Sequence, residues 1–186
     1  MPQIVTYDQF VGRIQLPNSA PSNPEWVELA LLIERYEAEY LAEVLGYPLA
    51  KLVVAAIQPP AATSGVIYDL INGKEFTDRL GRLNKWPGWK TIGFSAIANY
   101  IYCMVMEARR TQTTGTGEKV TATENAVTAY DTQKVTGAWN QMVDLNFILD
   151  DFLTQNSSDY PDYIGIYGTQ AYGNRKFFTK TNILGI

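Results

Sequence analysis

Histidine is absent from the 186 residues of the chain, and cysteine occurs once, at position 103. Without histidine there is no Ser-His or Cys-His nucleophile pair, and the commonest ligand of zinc and non-haem iron sites is missing. A single cysteine also forms no disulfide within the chain. Carboxylate, lysine and tyrosine side chains are therefore the remaining candidates for catalysis or metal binding.

Long apolar runs are missing as well. The most apolar stretch, Ile92 to Ala108, is shorter than the ~20 apolar residues that a bilayer requires, and Gly93, Ser95 and Asn99 interrupt it. The first residues, Met-Pro-Gln-Ile-Val-Thr, do not place an apolar core after a basic region, so we expect no signal peptide. The sequence thus predicts a protein made in a cytoplasm, with no membrane association.

The stretch 92–108 is instead predicted to be the central helix of a bundle. It is apolar around most of its circumference, and such a helix must be enclosed. Because the run is short and interrupted, we expect other parts of the protein, and not lipid, to surround this helix. Cys103 lies in its middle, where a free cysteine is usually a buried, inert thiol and not a nucleophile.

Two helices are predicted before residue 58. Asn23-Pro24-Glu25 has the residues of a helix start, and apolar residues then recur at steps of three and four as far as Gly46. A second helix is predicted from Pro48 to about Ile57. Upstream, Thr6 to Gln9 has the spacing of a capping box that would start a short helix. The first long helix carries glutamates that predict one solvated acidic face, with a metal cluster as the alternative: Glu28, Glu34, Glu37, Glu39 and Glu43.

The middle of the chain is predicted to contain a short helix at 66–71 and a β-hairpin at about 74–88. Asn72-Gly73 is a turn signal, and charged residues alternate with apolar ones around Gly81. Trp86-Pro-Gly-Trp89 then leads the chain into the central helix. Bases near tryptophans are one signal of stacking on nucleic acid, but the chain is acidic and has no concentrated basic stripe. We therefore do not predict direct nucleic-acid binding.

Residues 111–119 are predicted to be a flexible polar connection. The segment Gly115-Thr-Gly-Glu-Lys119 resembles a phosphate-binding loop but lacks the Gly-Lys-Ser/Thr that opens a helix. Thr121 to Glu124 has the spacing of another capping box, and a last helix is predicted from there to about Thr154. At ~45 Å it is long enough to reach a neighbour. Asp150-Asp151 near its end is a candidate catalytic pair, although adjacent helical residues point in different directions.

Residues 159–186 lose periodicity, and tyrosine and phenylalanine alternate there with glycine. A segment this aromatic cannot bury itself, and exposed it would promote association. We expect it to dock, either on its own subunit or on the next one. Removing residues 177–186 is predicted to abolish assembly while leaving the helices intact. The chain is thus interpreted as one domain, with a helical part at 1–158 and a dependent docking tail at 159–186.

Charge is segregated along the chain, although the net charge is only −4. Residues 63–119 carry eight bases and five acids, whereas residues 120–163 carry one base and seven acids. Blocks of opposite sign can meet across a subunit boundary, or they can solvate separate faces. The predicted fold class is mainly α: a helical bundle around a buried central helix, with a small β-hairpin and an extended aromatic and glycine-rich C-terminal tail.

Several segments taken together are similar to one family of virion proteins. They are Ile4-Val5-Thr6, Tyr36 to Gly46, Trp86 to Trp89, the tyrosine-rich central helix, Thr114 to Lys119 with Glu124-Asn125 after it, and Gly185-Ile186. On these segments the sequence resembles the head–tail connector proteins of tailed bacteriophages, and the resemblance extends over most of the chain. These are also called neck or ring adaptor proteins, and the resemblance is to those of Bacteroidetes and crAss-like phages in particular.

The resemblance implies a structural protein, not an enzyme, that forms a ring of commonly twelve copies below the portal. It implies the portal protein and adjacent tail or neck ring proteins as partners, passage of DNA through the lumen, and no cofactor. Its implied location is the neck or tail of the virion, after assembly in the host cytoplasm. The interface residues expected on this basis lie in the hairpin, at the end of the central helix, in the 111–119 loop and in the tail: Arg79, Arg82, Arg109, Arg110, Gly115, Gly117, Glu118, Lys119, Tyr172, Phe177, Phe178, Ile183, Leu184 and Ile186.

Two alternatives stay open at this point. One is a different virion part, such as a tail-completion or tail-proximal structural protein. The other is a small hydrolase or nuclease that depends on carboxylates or a metal ion and uses Glu34, Glu37, Asp150 or Asp151.

Overall fold

The structure is a computed structural model that describes residues 3–16, 26–114, 117–120, 128–163, 165 and 175–182. Its helices are α1 (Trp26–Leu45), α2 (Tyr47–Ile57), α3 (Val66–Asn72), α4 (Ala96–Arg110) and α5 (Thr128–Gln155). Its strands form two antiparallel hairpins, β1 (Lys74–Thr77) with β2 (Leu83–Trp86) and β3 (Thr111–Thr114) with β4 (Gly117–Val120). The predicted mainly helical fold with a hairpin between 74 and 88 is confirmed.

Helix α4 is the centre of the fold and packs against both α1 and α5. Its almost fully buried residues are Ala96, Ile97, Ala98, Asn99, Tyr100, Ile101, Tyr102, Cys103 and Val105. The helix begins later than the predicted residue 92, because the Ser95 hydroxyl accepts the Ala98 N–H at 3.2 Å as an N-cap. Ile92 and Phe94 therefore precede the helix, and they are 58% and 57% exposed.

The N-terminal segment forms two 3₁₀ turns, Tyr7–Gln9 and Gly12–Ile14, where the sequence predicts a capped α-helix. Thr6 makes no capping bond. The Gln9 side chain instead donates to the Trp89 carbonyl at 3.0 Å. The predicted capping box is wrong because the apolar residues of this segment enter the core, and that packing outweighs a local cap worth about 1 kcal/mol.

Glu37 departs from the predicted solvated face of α1, because it is only 5% exposed. Its carboxylate accepts the backbone N–H of Ile4, at 3.0 and 3.1 Å, and that of Val5 at 2.9 Å. These bonds compensate a buried carboxylate and attach the N-terminal segment to α1. The other predicted acids of the face are exposed or partly exposed: Glu28, Glu34, Glu39 and Glu43.

The burial of Glu37 predicts an unusual pH dependence. Burial raises the pKa of this carboxyl above its ordinary value, and the two amide donors only partly oppose that shift. A raised folded-state pKa contributes stability that is complete below the unfolded pKa and is lost as pH rises through the folded pKa. We therefore expect the free energy of unfolding of the native protein, relative to that of Glu37→Gln, to increase as pH falls from neutral toward 4.5.

Urea titrations of both proteins across that pH range measure this difference. The amide side chain of the variant does not titrate, so contributions from carboxyl groups that do not interact with Glu37 cancel in the comparison. Glu34 does interact with it and raises the pKa of Glu37 further. If the free energy of unfolding of the native protein, relative to that of the variant, decreased as the pH falls, the amide donors would outweigh the burial of Glu37.

The turn Trp86-Pro-Gly-Trp89 fastens the first hairpin to α3. Trp86 and Trp89 are fully buried with their rings edge to face at 5.8 Å, and the Trp86 indole donates to the Leu70 carbonyl at 2.7 Å. Gly88 passes so close to the end of α3 that a Cβ there would lie 2.5 Å from the Gly73 nitrogen. The turn therefore packs both the hairpin and the chain that leads into α4 against the end of α3.

The prediction for the segment after α4 is also wrong. Strands β3 and β4 pair with Thr111 opposite Val120 and Thr114 opposite Gly117, where the sequence predicts a flexible polar connection. The β-branched threonines of this segment favour extended backbone. Helix α5 ends at Gln155, one residue beyond the prediction, whereas the helix starts predicted at 23–25 and 121–124 lie outside the described residues.

Candidate assembly surfaces

The turn of the first hairpin, residues 78–83, carries two of the predicted interface residues, and we call it the hairpin tip. Asp78 fixes its backbone, because the carboxylate accepts the N–H groups of Leu80 and Arg82 at 2.9 Å each. It also accepts the Arg82 Nε–H at 3.0 Å. The backbone bond from Arg82, followed by the side-chain bond, lowers the pKa of Asp78. This side-chain-to-backbone turn gives the tip one conformation.

Both predicted arginines of the tip are exposed. Arg82 is 70% exposed and pairs with Asp78 at 2.9 Å, and Arg79 is 69% exposed with its Nε 3.6 Å from Asp151 of α5. Exposed ion pairs contribute little stability. The pair between Arg79 and Asp151 instead helps orient the hairpin relative to α5. Phe76 of β1 adds to this, because its ring packs edge to face on Phe152 of α5 at 5.4 Å.

The tip also carries two leucines that the expected interface does not include. Leu80 is 69% exposed and Leu83 is 76% exposed. Leucine side chains on a fixed turn keep apolar surface in contact with water, and burying that surface against another molecule would be favourable. The signal in the sequence is Arg-Leu-Gly-Arg-Leu at 79–83, where a solvated turn would have polar residues.

Large apolar side chains are exposed at several other places, among them Tyr47 of α2, and two of these places are pairs of side chains, one on α1 and one next to α4. Val27 and Leu31 lie one turn apart on α1 and are 68% and 63% exposed. Ile92 and Phe94 lie just before α4, where the Gly93 carbonyl between them accepts the Gln141 amide of α5 at 3.0 Å. Both places are candidate receiving surfaces for the hairpin tip of another copy.

Residues 175–182 of the tail dock on their own chain. The 3₁₀ turn Arg175–Phe178 places Phe177 in the core, fully buried, with its ring 5.7 Å from that of Tyr40 and 5.1 Å from that of Tyr100. The buried Asn146 of α5 completes the site. Its amide donates to the Phe177 carbonyl at 2.8 Å, and its oxygen accepts the Tyr40 hydroxyl.

The sequence leaves open whether the tail docks on its own subunit or on the next one, and the described part of the tail docks on its own subunit. Phe177 therefore offers no side-chain surface to a neighbour. Phe178 is partly buried against Phe147, with ring centroids 5.5 Å apart. Ion pairs from Lys176 to Glu39 and from Lys180 to Asp144 hold the segment at its surface.

The structure gives only backbone positions for a second group of predicted interface residues, namely Arg109 and Arg110 at the end of α4 and Gly117, Glu118 and Lys119 in β4. A third group lies outside the described residues: Gly115, Tyr172, Ile183, Leu184 and Ile186. Of the predicted set, the structure thus describes the side chains of Arg79 and Arg82 in the hairpin tip and of Phe177 and Phe178 in the tail.

Three of the four carboxylates considered for a hydrolase have partners within the fold, whereas Glu34 is partly exposed. Glu37 binds backbone amides, Asp150 accepts the Tyr163 hydroxyl at 2.7 Å, and Asp151 faces an arginine of the hairpin tip. Among the described residues, no three carboxylate or thiol side chains are grouped so that they could bind one metal ion.

Comparison of the chain with protein-family models, with curated proteins and with solved structures finds no match. The helices that the structure describes include none with the length and hydropathy needed to cross a membrane.

Proposed function

We propose that the protein is a structural virion component that forms a closed ring of identical subunits between the portal and the tail of a bacteriophage. The observation that carries this proposal is the hairpin tip, with Leu80 and Leu83 exposed on a turn that Asp78 fixes. The resemblance of the sequence to head–tail connector proteins supplies the kind of assembly and its partners, the portal and the adjacent neck or tail proteins.

Association through the hairpin tip would bury its two leucines. Burying an exposed leucine side chain contributes about 1.5–3 kcal/mol. Because the tip is already ordered by Asp78 and by its contacts with α5, little conformational entropy remains to be lost on association. A fixed apolar tip therefore favours docking into an apolar surface of another molecule.

The geometry of such a contact favours a ring. The hairpin tip differs from the two candidate receiving surfaces, so a contact between them joins unlike patches on two identical copies. Contacts of this heterologous kind close into rings when the rotation between subunits allows it. The basic block at 63–119 and the acidic block at 120–163 would then help set the orientation of neighbours.

The experiment replaces both leucines with aspartate. We expect Leu80→Asp/Leu83→Asp to sediment as a monomer under conditions in which the native chain sediments as a ring, because a buried unpaired charge is strongly disfavoured. Far-UV circular dichroism should be nearly unchanged, since both side chains are exposed and the fold of the single subunit does not depend on them.

The matched control is Ser157→Asp/Ser158→Asp, which adds the same two charges at exposed positions beyond α5. This variant should assemble like the native chain. If the tip variant assembles as well, the hairpin tip is not the interface. If the control also fails to assemble, added negative charge and not the lost leucines accounts for the defect.

A further inference from the structure

A cleft of about 350 Å³ lies between α4 and α5 beside the docked tail. Cys103, Met104 and Glu107 of α4 line one part of it, and Val135 and Trp139 of α5 line another. Thr181 of the tail forms its edge. The cleft is therefore a mainly apolar groove that begins where the described chain stops.

The tail runs toward this cleft along α5. The Phe177 carbonyl is bound by Asn146, and the Thr179 carbonyl accepts the Trp139 indole N–H at 2.9 Å. Thr181 is then paired twice with Asn140, at 2.8 and 2.9 Å. Successive tail residues thus approach the N-terminal half of α5, in the direction of the cleft.

We propose that residues 183–186 of the same chain, Ile-Leu-Gly-Ile, occupy this cleft and cover Cys103. The fit is first one of chemistry, because Ile183, Leu184 and Ile186 are aliphatic and the cleft is lined mainly by apolar groups. Contact between these aliphatic side chains and the cleft would remove apolar surface from water.

The reach also fits. Residues 183–186 extend up to ~14 Å if fully extended. The next turn of α5 beyond Asn140 carries Thr136, ~6 Å away along the helix axis, and Thr136 lines the cleft. Because Asn140 binds Thr181, which lines the cleft, the chain that follows starts within this reach of it.

Cys103 supplies the test, since it is the only cysteine. Its thiol donates to the Val135 carbonyl at 3.5 Å, and burial raises its pKa to about 12. In Ile183→Asp/Leu184→Asp we expect Cys103 to react with Ellman's reagent roughly tenfold faster than in the native protein, because a smaller local opening then exposes it. The control Ser157→Asp/Ser158→Asp, with the same added charge, should react at the native rate.

Disulfide trapping identifies the occupant. Cysteine is introduced singly by Ile183→Cys, Leu184→Cys and Ile186→Cys, and each protein is oxidised under mild conditions. A cross-link from Cys103 within one monomer in at least one variant is the expected result. Cross-linked dimers at Cys103 would overturn the proposal in favour of a neighbouring copy, and so would native protection of Cys103 that disappears on dilution. No cross-link in any variant, together with an unchanged labelling rate, would overturn it outright.

This inference does not depend on ring formation. The cleft could be filled within a monomer that never assembles, and Leu80→Asp/Leu83→Asp should retain native protection of Cys103. Sedimentation of the tip variant therefore tests ring formation, and labelling and cross-linking of Cys103 test the occupant of the cleft, so that either proposal can fail alone.

Discussion

Replacing Gly88 with alanine is expected to destabilise the protein by about 2–5 kcal/mol, the sum of ~1–2 kcal/mol for a left-handed backbone and ~1–3 kcal/mol for an overpacked contact. Gly88 has φ +78°, and a Cβ there would lie 2.4 Å from the Asn72 carbonyl carbon and 2.5 Å from the Gly73 nitrogen. These are backbone atoms, so they cannot turn aside as a flexible side chain would. Equilibrium urea unfolding measures the loss.

Gly81 provides the matched control. Its φ of +77° is nearly the same, but no described atom lies within 4 Å of a Cβ built there. Gly81→Ala should therefore cost only the ~1–2 kcal/mol of the left-handed backbone. Equal losses at the two glycines would show that the close approach of the Trp86–Trp89 turn to α3 contributes nothing.

Replacing Phe177 with alanine is the second large effect, with an expected loss of about 3–5 kcal/mol. The side chain is fully buried between Tyr40, Tyr100 and Trp139, which come from α1, α4 and α5. Its removal leaves a cavity where three helices meet. The loss is again measured by urea unfolding, with circular dichroism as the signal.

Phe178→Ala is the control for this substitution. Phe178 is only partly buried and contacts Phe147, which is itself 41% exposed, so its loss should be clearly smaller. The prediction that residues 177–186 can be removed with the helices intact conflicts with the burial of Phe177. If Phe177→Ala proved as mild as Phe178→Ala, the docked position of the tail in solution would be contradicted.

The helices and the first hairpin were predictable because their signals are local. Apolar residues at steps of three and four define the buried side of α1, and Gly46 and Pro48 separate it from α2. The signal at Asn72-Gly73 marks the end of α3. Such patterns depend on neighbours within one or two turns, so no knowledge of the tertiary fold is needed to use them.

The misplaced features depend on distant residues. Glu37 looks like part of a solvated row, and its burial follows from the amides of Ile4 and Val5, more than thirty positions away. Likewise, Gln9 has the spacing of a capping residue but binds Trp89. Charge and spacing along one helix do not reveal which distant backbone groups need a partner.

The candidate interface was predicted in part for the same reason. Arg79 and Arg82 stand out by charge. Leucines at 80 and 83 are unusual for a solvated turn, but the sequence alone does not show that both are exposed. Conversely, Phe177 looks like a docking residue for a neighbour, and Asn146 gives no sign that it binds the Phe177 carbonyl. An aromatic tail indicates that a partner surface is required, but not which chain provides it.

Negative-stain electron microscopy of the purified native protein, alone and mixed with portal particles, tests the central claim most directly. The account predicts closed rings of uniform diameter that attach to the portal and that are absent from Leu80→Asp/Leu83→Asp. A monodisperse monomer that never joins portal particles, at concentrations well above those used for imaging, would contradict it.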